Sequence, residues 1–175
     1  MAELIIRPDN VVSMGNWDPT AQSTVADYMS DNSDDTTVFN TNGNQSMQLS
    51  LADIPELYDE ATFTSATATI RARRSGKGNA STTVKILNGT EAIVETTHSI
   101  NSLAIAAYTS GIADISEMDL ETINNLQFHM MGTGNTQAYY SEVFFTLTYE
   151  VEETPPVRGV KLSSGKLVLT GKVTF

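Results

Sequence analysis

From Tyr139 to Val151 the side chains alternate in a way that few folds can accommodate. Val143, Phe145, Leu147, Tyr149 and Val151 fall on one face of an extended chain, and Thr146, Thr148 and Glu150 fall on the other with Glu142. Successive side chains of a strand point to opposite faces, so this spacing predicts a strand with one face buried and the other wet. Phe144 interrupts the polar face and is expected to cover a loop. The same pattern recurs at Leu126, Phe128 and Met130 against Gln127 and His129, and at Met47, Leu49 and Leu51 against Gln48 and Ser50. It recurs again at Ala66, Ala68, Ile70 and Ala72 against Thr67, Thr69, Arg71 and Arg73.

Turn chemistry separates these runs. Ser75-Gly-Lys-Gly-Asn79 precedes a strand over 81–87, and Asn88-Gly89 joins Val84/Ile86 to Ala92/Val94 as a hairpin, read as type I′ with positive φ at both central residues. Gly132-Thr-Gly-Asn135 reads as a turn between strands, and 3–6 and 103–108 are further strand candidates. Helical signals are short: one or two turns over Ser23–Met29, and two over Ser116–Ile123 with Ser116 and Asp119 in a variant of the capping box. Neither is long enough to cover a sheet. The fold class expected is therefore all-β: an antiparallel β-sandwich of the jelly-roll type, with a short C-terminal extension.

The extension begins at Thr154-Pro-Pro156, which cannot continue a central strand and divides a body, 1–153, from an arm, 154–175. All 21 acidic residues lie in the body against six of the ten basic ones, so the body carries −15 and the arm +4. The arm reads as a hairpin turning at Ser163-Ser-Gly165, and about 22 residues make a weak independent unit. Its apolar alternation and positive charge predict an intermolecular contact made by Arg158, Lys161, Leu162, Lys166, Leu167, Leu169, Lys172 and Phe175. Docking on its own body is the other reading. An acidic body argues against binding nucleic acid.

With no cysteine, disulfides, zinc ribbons, thiol nucleophiles and iron–sulfur clusters are excluded together. His98 and His129 are isolated, and no nucleophile elbow, Ser-x-x-Lys or His-Glu-x-x-His pattern occurs. The chain is read as non-enzymatic, with no cofactor. Asp27, Asp31, Asp34 and Asp35 cluster in an Asn/Ser-rich loop with hard oxygen ligands of the kind Ca²⁺ takes, but without the spacing of a calcium loop, and the competing reading is a solvated loop of Asx turns. Asp53, Glu56, Asp59 and Glu60 supply carboxylates that could serve a glycosidase only if held in pairs. Trp17, Tyr28, Tyr58, Tyr108, Tyr139 and Tyr140 are candidates for a sugar-stacking platform, with Trp17, Tyr139 and Tyr140 foremost, against the alternative of core packing. Arg71, Arg73, Arg74 and Lys77 form a basic patch, expected to pair with local carboxylates or a neighbouring subunit.

No run approaches the roughly 18 apolar residues of a membrane helix, so no membrane partner is expected. Met1-Ala-Glu-Leu-Ile-Ile-Arg-Pro8 does not read as a signal peptide, and Asn44, Asn79 and Asn88 head sequons of the kind a Ser/Thr-rich chain contains by chance. Synthesis in a cytoplasm is the expectation.

In order along the chain, Ile6-Arg7-Pro8, Gly15-Asn16-Trp17, the turn at Tyr28 leading to Asp34-Asp35, Leu51-Ala-Asp53, Arg71-Ala-Arg73, Leu126-Gln-Phe128 and Tyr149-Glu-Val151 resemble jelly-roll virion structural proteins of tailed bacteriophages. The resemblance implies a capsid decoration or cement protein on the virion surface, made in the host cytoplasm. Its partners would be further copies of itself, as a homo-oligomer, and the major capsid or other virion proteins, with no catalytic residues to carry over. The arm lies outside that pattern. The alternative is a carbohydrate-binding module or part of a phage receptor-binding apparatus, which would require an exposed aromatic platform.

Overall fold

The computed structural model describes residues 1–19, 21–40, 44–134 and 136–151, with the backbone of 162–163 and 166–167. In chain order the strands are β1 (Ala2–Ile6), β2 (Pro8–Met14), β3 (Trp17–Asp18), β4 (Val38–Asn40), β5 (Gln45–Leu51), β6 (Thr62–Arg74) and β7 (Ala80–Asn88). They continue as β8 (Glu91–Ser99), β9 (Ala106–Thr109), β10 (Ala113–Asp114), β11 (Leu126–Gly134), β12 (Ala138–Glu150), β13 (Leu162–Ser163) and β14 (Lys166–Leu167). Two short helices interrupt them, α1 (Gln22–Ser30) and α2 (Leu120–Asn124).

β6 and β12 pair antiparallel along nearly their whole length and form the spine of a seven-stranded sheet. β9 and β10 pair with the outer side of β6, while β1 and β4 pair with different stretches of β12, and β3 lies beyond β4. The second sheet has the order β2-β5-β11-β7-β8, all antiparallel. The result is the antiparallel β-sandwich of jelly-roll type that the alternation predicts. β13 and β14 pair with each other through Leu162↔Leu167 and Ser163↔Lys166.

The core is filled by the inward residues of both sheets. Ala66, Ala68, Ile70 and Ala72 of β6 lie beside Val143, Phe145 and Leu147 of β12 in the same sheet, and face Met47, Leu49, Val84, Ile86, Phe128 and Met130 from the other sheet. Phe128 and Phe145 meet across the gap with ring centroids 6.2 Å apart. The small alanines of β6 leave room for these larger partners, which is how facing layers interdigitate at protein density.

The regular alternation of β12 fails at one point. Tyr140 and Val143 are both fully buried although three residues apart, and the register shift between Tyr140 and Glu142 supplies the extra residue that makes this possible. Along residues 141–144, between the stretches paired with β4 and β1, β12 has no strand partner on that side among the described residues. Charged groups occupy this notch. Glu142, expected on the wet face, is buried and accepts from Arg7 Nη2 at 2.8 Å and Nε at 3.2 Å. Arg71 Nε lies 3.8 Å from the same carboxylate. Arg71 also forks onto Asp34 at 3.0 and 2.5 Å, and Ser141 donates to Asp34 at 2.8 Å. Arg7 further donates to Asn32, so the acidic loop after α1 is tied down onto the sheet. Arg71, and then the Ser141 hydroxyl, hold the Asp34 carboxyl below the usual Asp value.

Three local expectations are corrected. The hairpin after β7 turns at Gly89-Thr90, because Asn88 still pairs with Glu91. Gly89 has φ +61° and Thr90 is not among the positive-φ residues, the pattern of a type II′ turn with Gly first and not of type I′. Gly132 to Gly134 belong to β11 and pair with Ala80 to Thr82, so the turn begins later; Gly134, at φ +114°, has Asn79 O only 2.2 Å from where a Cβ would stand. The second helix starts four residues later than Ser116, capped by the Asp119 carboxylate, which accepts from Thr122 N at 2.8 Å. Ser116 instead donates to Asp114.

Tyr140 gives a pH dependence. Burial pushes its phenol up to about 12, only partly offset by the hydroxyl of Thr82 at 2.6 Å. The neutral phenol is the form the fold accepts, so its contribution is intact below the unfolded value near 10 and is lost as pH rises towards 12. Stability is expected to fall through that window, with one tyrosine ionising only as the protein unfolds. Ultraviolet difference titration with parallel circular dichroism checks this, and Tyr140→Phe is expected to flatten the alkaline limb.

Candidate functional site

A cleft of about 510 Å³ opens at one end of the sandwich, lined by Glu56, Leu57, Tyr58, Asp59, Glu60, Ala61, Tyr149 and Val151. The chain builds its floor in steps. Ile54 is buried, and its N–H donates to the Asn124 side chain at 2.9 Å, which anchors the segment to the second helix. Pro55, with φ −60°, starts a single 3₁₀ turn over Glu56–Tyr58, in which Tyr58 N donates to Pro55 O and Asp59 N to Glu56 O. That tight turn leaves Glu56, Leu57, Asp59 and Glu60 exposed to solvent and returns the half-buried Tyr58 towards the sheet. Tyr149 arrives from the end of β12, where a second register shift at Thr148/Tyr149 breaks the alternation.

The two tyrosine rings stand nearly edge to face, with centroids 5.2 Å apart at 78°, and Phe63 supports Tyr149 from behind at 5.8 Å. Burial, then the neighbouring Tyr58, pushes the Tyr149 phenol above its ordinary value. At neutral pH the Tyr149 ring therefore presents a neutral hydroxyl. Leu57 and Val151 are 78% and 64% exposed at the rim, a pair of uncovered apolar side chains beside carboxylates. The site thus offers two aromatic rings, two apolar rim groups and three carboxylates from a concave surface.

The expected platform is divided by the fold. Trp17 and Tyr140 are fully buried, packed 5.7 Å apart, and Trp17 Nε1 donates to Ser46 O at 3.1 Å. Neither ring can stack on a ligand, which corrects their candidacy. The physical reason is the Tyr140/Glu142 bulge, which turns Tyr140 inward, and the bond from β3 to the opposite sheet, which pins Trp17. Tyr139 is half-buried on the outer face, with Phe39 at 4.9 Å and the Arg73 guanidinium over its ring at 4.5 Å.

Of the loop carboxylates considered for calcium, Asp34 is engaged by Arg71 and Ser141, while Asp31 accepts from Ser33 N and the Thr36 hydroxyl as an Asx turn. No group of three or more His, Asp or Glu suited to a metal occurs among the described residues. Glu56, Asp59 and Glu60 do share a cleft, whereas Asp53 is not among its lining residues. His98 packs against Tyr108, His129 stands opposite Lys85, and burial holds both imidazoles below the usual histidine value. No helix among the described residues is long and apolar enough to cross a membrane. Of the arm residues, Arg158, Lys161, Leu169, Lys172 and Phe175 lie outside the described residues, and Leu162, Lys166 and Leu167 are described only as backbone of β13 and β14.

No protein-family profile and no curated protein sequence matches the chain. Among solved structures it is similar to the C-terminal CBM6 of LamC, a laminarinase from Zobellia galactanivorans, at 10% identity and a TM-score of 0.42, over 84% of this chain and 99% of that one. It is similar to the CBM36-1 domain of a multidomain xylanase from the hindgut metagenome of Trinervitermes trinervoides at 13% identity and a TM-score of 0.42, over 84% and 97%. A truncated AlyQ with CBM32 and alginate lyase domains is similar at 13% identity and a TM-score of 0.41, over 88% of this chain and 36% of that one. The expectation of a capsid decoration protein is corrected on this finding: two of these three structures are carbohydrate-binding modules, the third contains one, and none is a virion protein. At such identity the likeness is of the sandwich alone.

Proposed function

We propose that the chain is a non-catalytic glycan-binding module whose site is the Tyr58/Tyr149 cleft. The observation that carries this reading is the joining of two edge-to-face tyrosines with Glu56, Asp59 and Glu60 around one open cleft of about 510 Å³. A pyranose has apolar C–H faces and a rim of hydroxyl donors. Tyrosine rings receive the first and ionised carboxylates accept from the second. Such pairing of aromatic surface with a few convergent polar groups is what a concave site for a small ligand supplies.

The exposure of the three carboxylates supports binding without catalysis. A glycosidase needs one carboxyl kept protonated near neutral pH by an apolar pocket or by a close like charge. Side chains this open to water lack the apolar pocket. They remain suitable as acceptors.

A glycan array probed with the wild-type chain and with Tyr58→Ala tests the reading. Wild type is expected to give signals that the variant loses by about tenfold or more, the equivalent of 1.4 kcal/mol. A blank array for the wild type, or equal signals for both, would overturn it.

A further inference from the structure

At the other end of β12, we infer that Arg73, laid on the ring of Tyr139 beside Phe39, forms a second subsite that takes the carboxylate of an acidic sugar residue. This rests on the glycan-binding reading and extends it to a ligand class. Tyr139 and Tyr149 are ten residues apart on one strand, about 33 Å at the rise of an extended chain, so the two sites are separate.

Arg73, Arg74 and Lys77 all lack an ion pair among the described residues, and what sets Arg73 apart is the ring on which it is laid: Arg74 is tied to a backbone carbonyl and Lys77 is an exposed ammonium. The body carries −15, and its other arginines have partners. Arg7 bonds to Glu142, Arg71 to Asp34 with Glu142 nearby, and Arg74 to the Gly78 carbonyl. Lys85 pairs with Glu95. Arg73 has the Tyr139 ring beneath it at 4.5 Å and no carboxylate in ion-pair contact among the described residues. Laid on the ring, the Arg73 guanidinium presents donors that suit an anion.

The geometry fits a planar anion on a ring-shaped body. Stacking on Tyr139 fixes the plane of the guanidinium and leaves its N–H edges free to fork onto a carboxylate, with little further entropy to lose. Phe39 lies 4.9 Å from Tyr139 and extends the apolar surface. A pyranose bearing a carboxylate presents both features at once: a C–H face for the rings and an anion on the rim. The −15 body repels a densely charged polyanion, which leaves isolated uronic acid residues on an otherwise neutral glycan as the class recognised.

The test is a ¹⁵N-resolved NMR titration of the full chain with an oligosaccharide containing one glucuronic acid residue, run beside the same oligosaccharide with that carboxyl reduced to the alcohol. The acidic sugar is expected to move the Arg73 Nε–Hε and Tyr139 amide signals, and the reduced sugar is expected to leave them in place. Followed at the Tyr139 amide, Arg73→Gln is expected to weaken the response at least tenfold and Arg73→Lys to weaken it less, with the rest of the spectrum keeping its dispersion. Equal shifts at Arg73 with both sugars, or none with either, would overturn the inference. So would a wild-type dimer, seen by sedimentation, that Arg73→Gln dissociates while the sugar response is unchanged, since the carboxylate would then come from a second copy. Signals of Tyr58 and Tyr149 report the cleft separately: their silence with both sugars counts against the glycan reading of the cleft and leaves the Arg73 readout interpretable.

Discussion

Replacing Trp17 by alanine is expected to lower the stability of the sandwich by about 3–5 kcal/mol, the range for truncating a buried large aromatic. The indole is fully buried, lies 5.7 Å from the Tyr140 ring, and donates from β3 of one sheet to Ser46 of β5 in the other at 3.1 Å. Truncation therefore removes core volume and a tie between the sheets together. The neighbouring Gly15 N–H also donates to Ser46 O at 3.1 Å, so that acceptor is not orphaned, and the loss is mainly of packing. Trp17→Phe, which keeps a ring and drops the donor, is expected to cost well under half as much. Urea unfolding followed by circular dichroism checks both, with a fall in Tm of roughly 10 °C for the alanine variant. A cost below about 1 kcal/mol would mean that Trp17 is not where the fold places it, since a solvent-facing side chain costs about that little.

Glu142→Ala is the second large effect. The carboxylate is 4% exposed and stands between the guanidinium groups of Arg7 and Arg71. Removing it leaves Arg7 without its carboxylate and Arg71 with Asp34 alone, in a notch where β12 has no strand partner on that side among the described residues. Breaking one partner of a buried pair costs about 3–5 kcal/mol, but each arginine side chain is about one-third exposed and can regain some water. The expected loss is therefore about 2–3 kcal/mol. Arg7→Met with Glu142→Met is expected to recover much of that loss, because an apolar pair of similar volume leaves no unpaired charge. A double-mutant cycle in urea measures the coupling, which is expected to exceed about 1 kcal/mol. Additive single effects would show that the two side chains do not act as a pair.

These residues also mark the limit of what the sequence discloses. The spine of the fold is legible because period-two alternation is a local property: Val143, Phe145 and Leu147 on β12, and Ala66 to Ala72 on β6, all lie where their spacing puts them. The bulge at Ser141 is not legible. It inserts one residue into the pattern and turns Tyr140 to the inner face, which hides a core aromatic, while Glu142 keeps the outer face beside Arg71 and is buried there by the arginines that cover it. Trp17 stands on a two-residue strand, too short to show any period. The cleft was half visible. Tyr58 with Glu56, Asp59 and Glu60 stands out in sequence as ring and carboxylates, but Tyr149 comes from a strand some ninety residues later, and only the pairing of β1, β6 and β12 brings it there. The lone hint of its role was that the β12 alternation ends in an aromatic and then an apolar residue, Tyr149 and Val151, just as the sheet stops covering them.

The most direct measurement of the central claim is a titration of the chain carrying ring-labelled tyrosine, with NMR detection, against glycans that score on the array. The account predicts saturable shifts of the Tyr58 and Tyr149 ring signals with a common midpoint, while buried Tyr140 stays fixed. Glycan binding that leaves Tyr58 and Tyr149 unmoved, with the shifts confined to rings elsewhere on the sandwich, would contradict it.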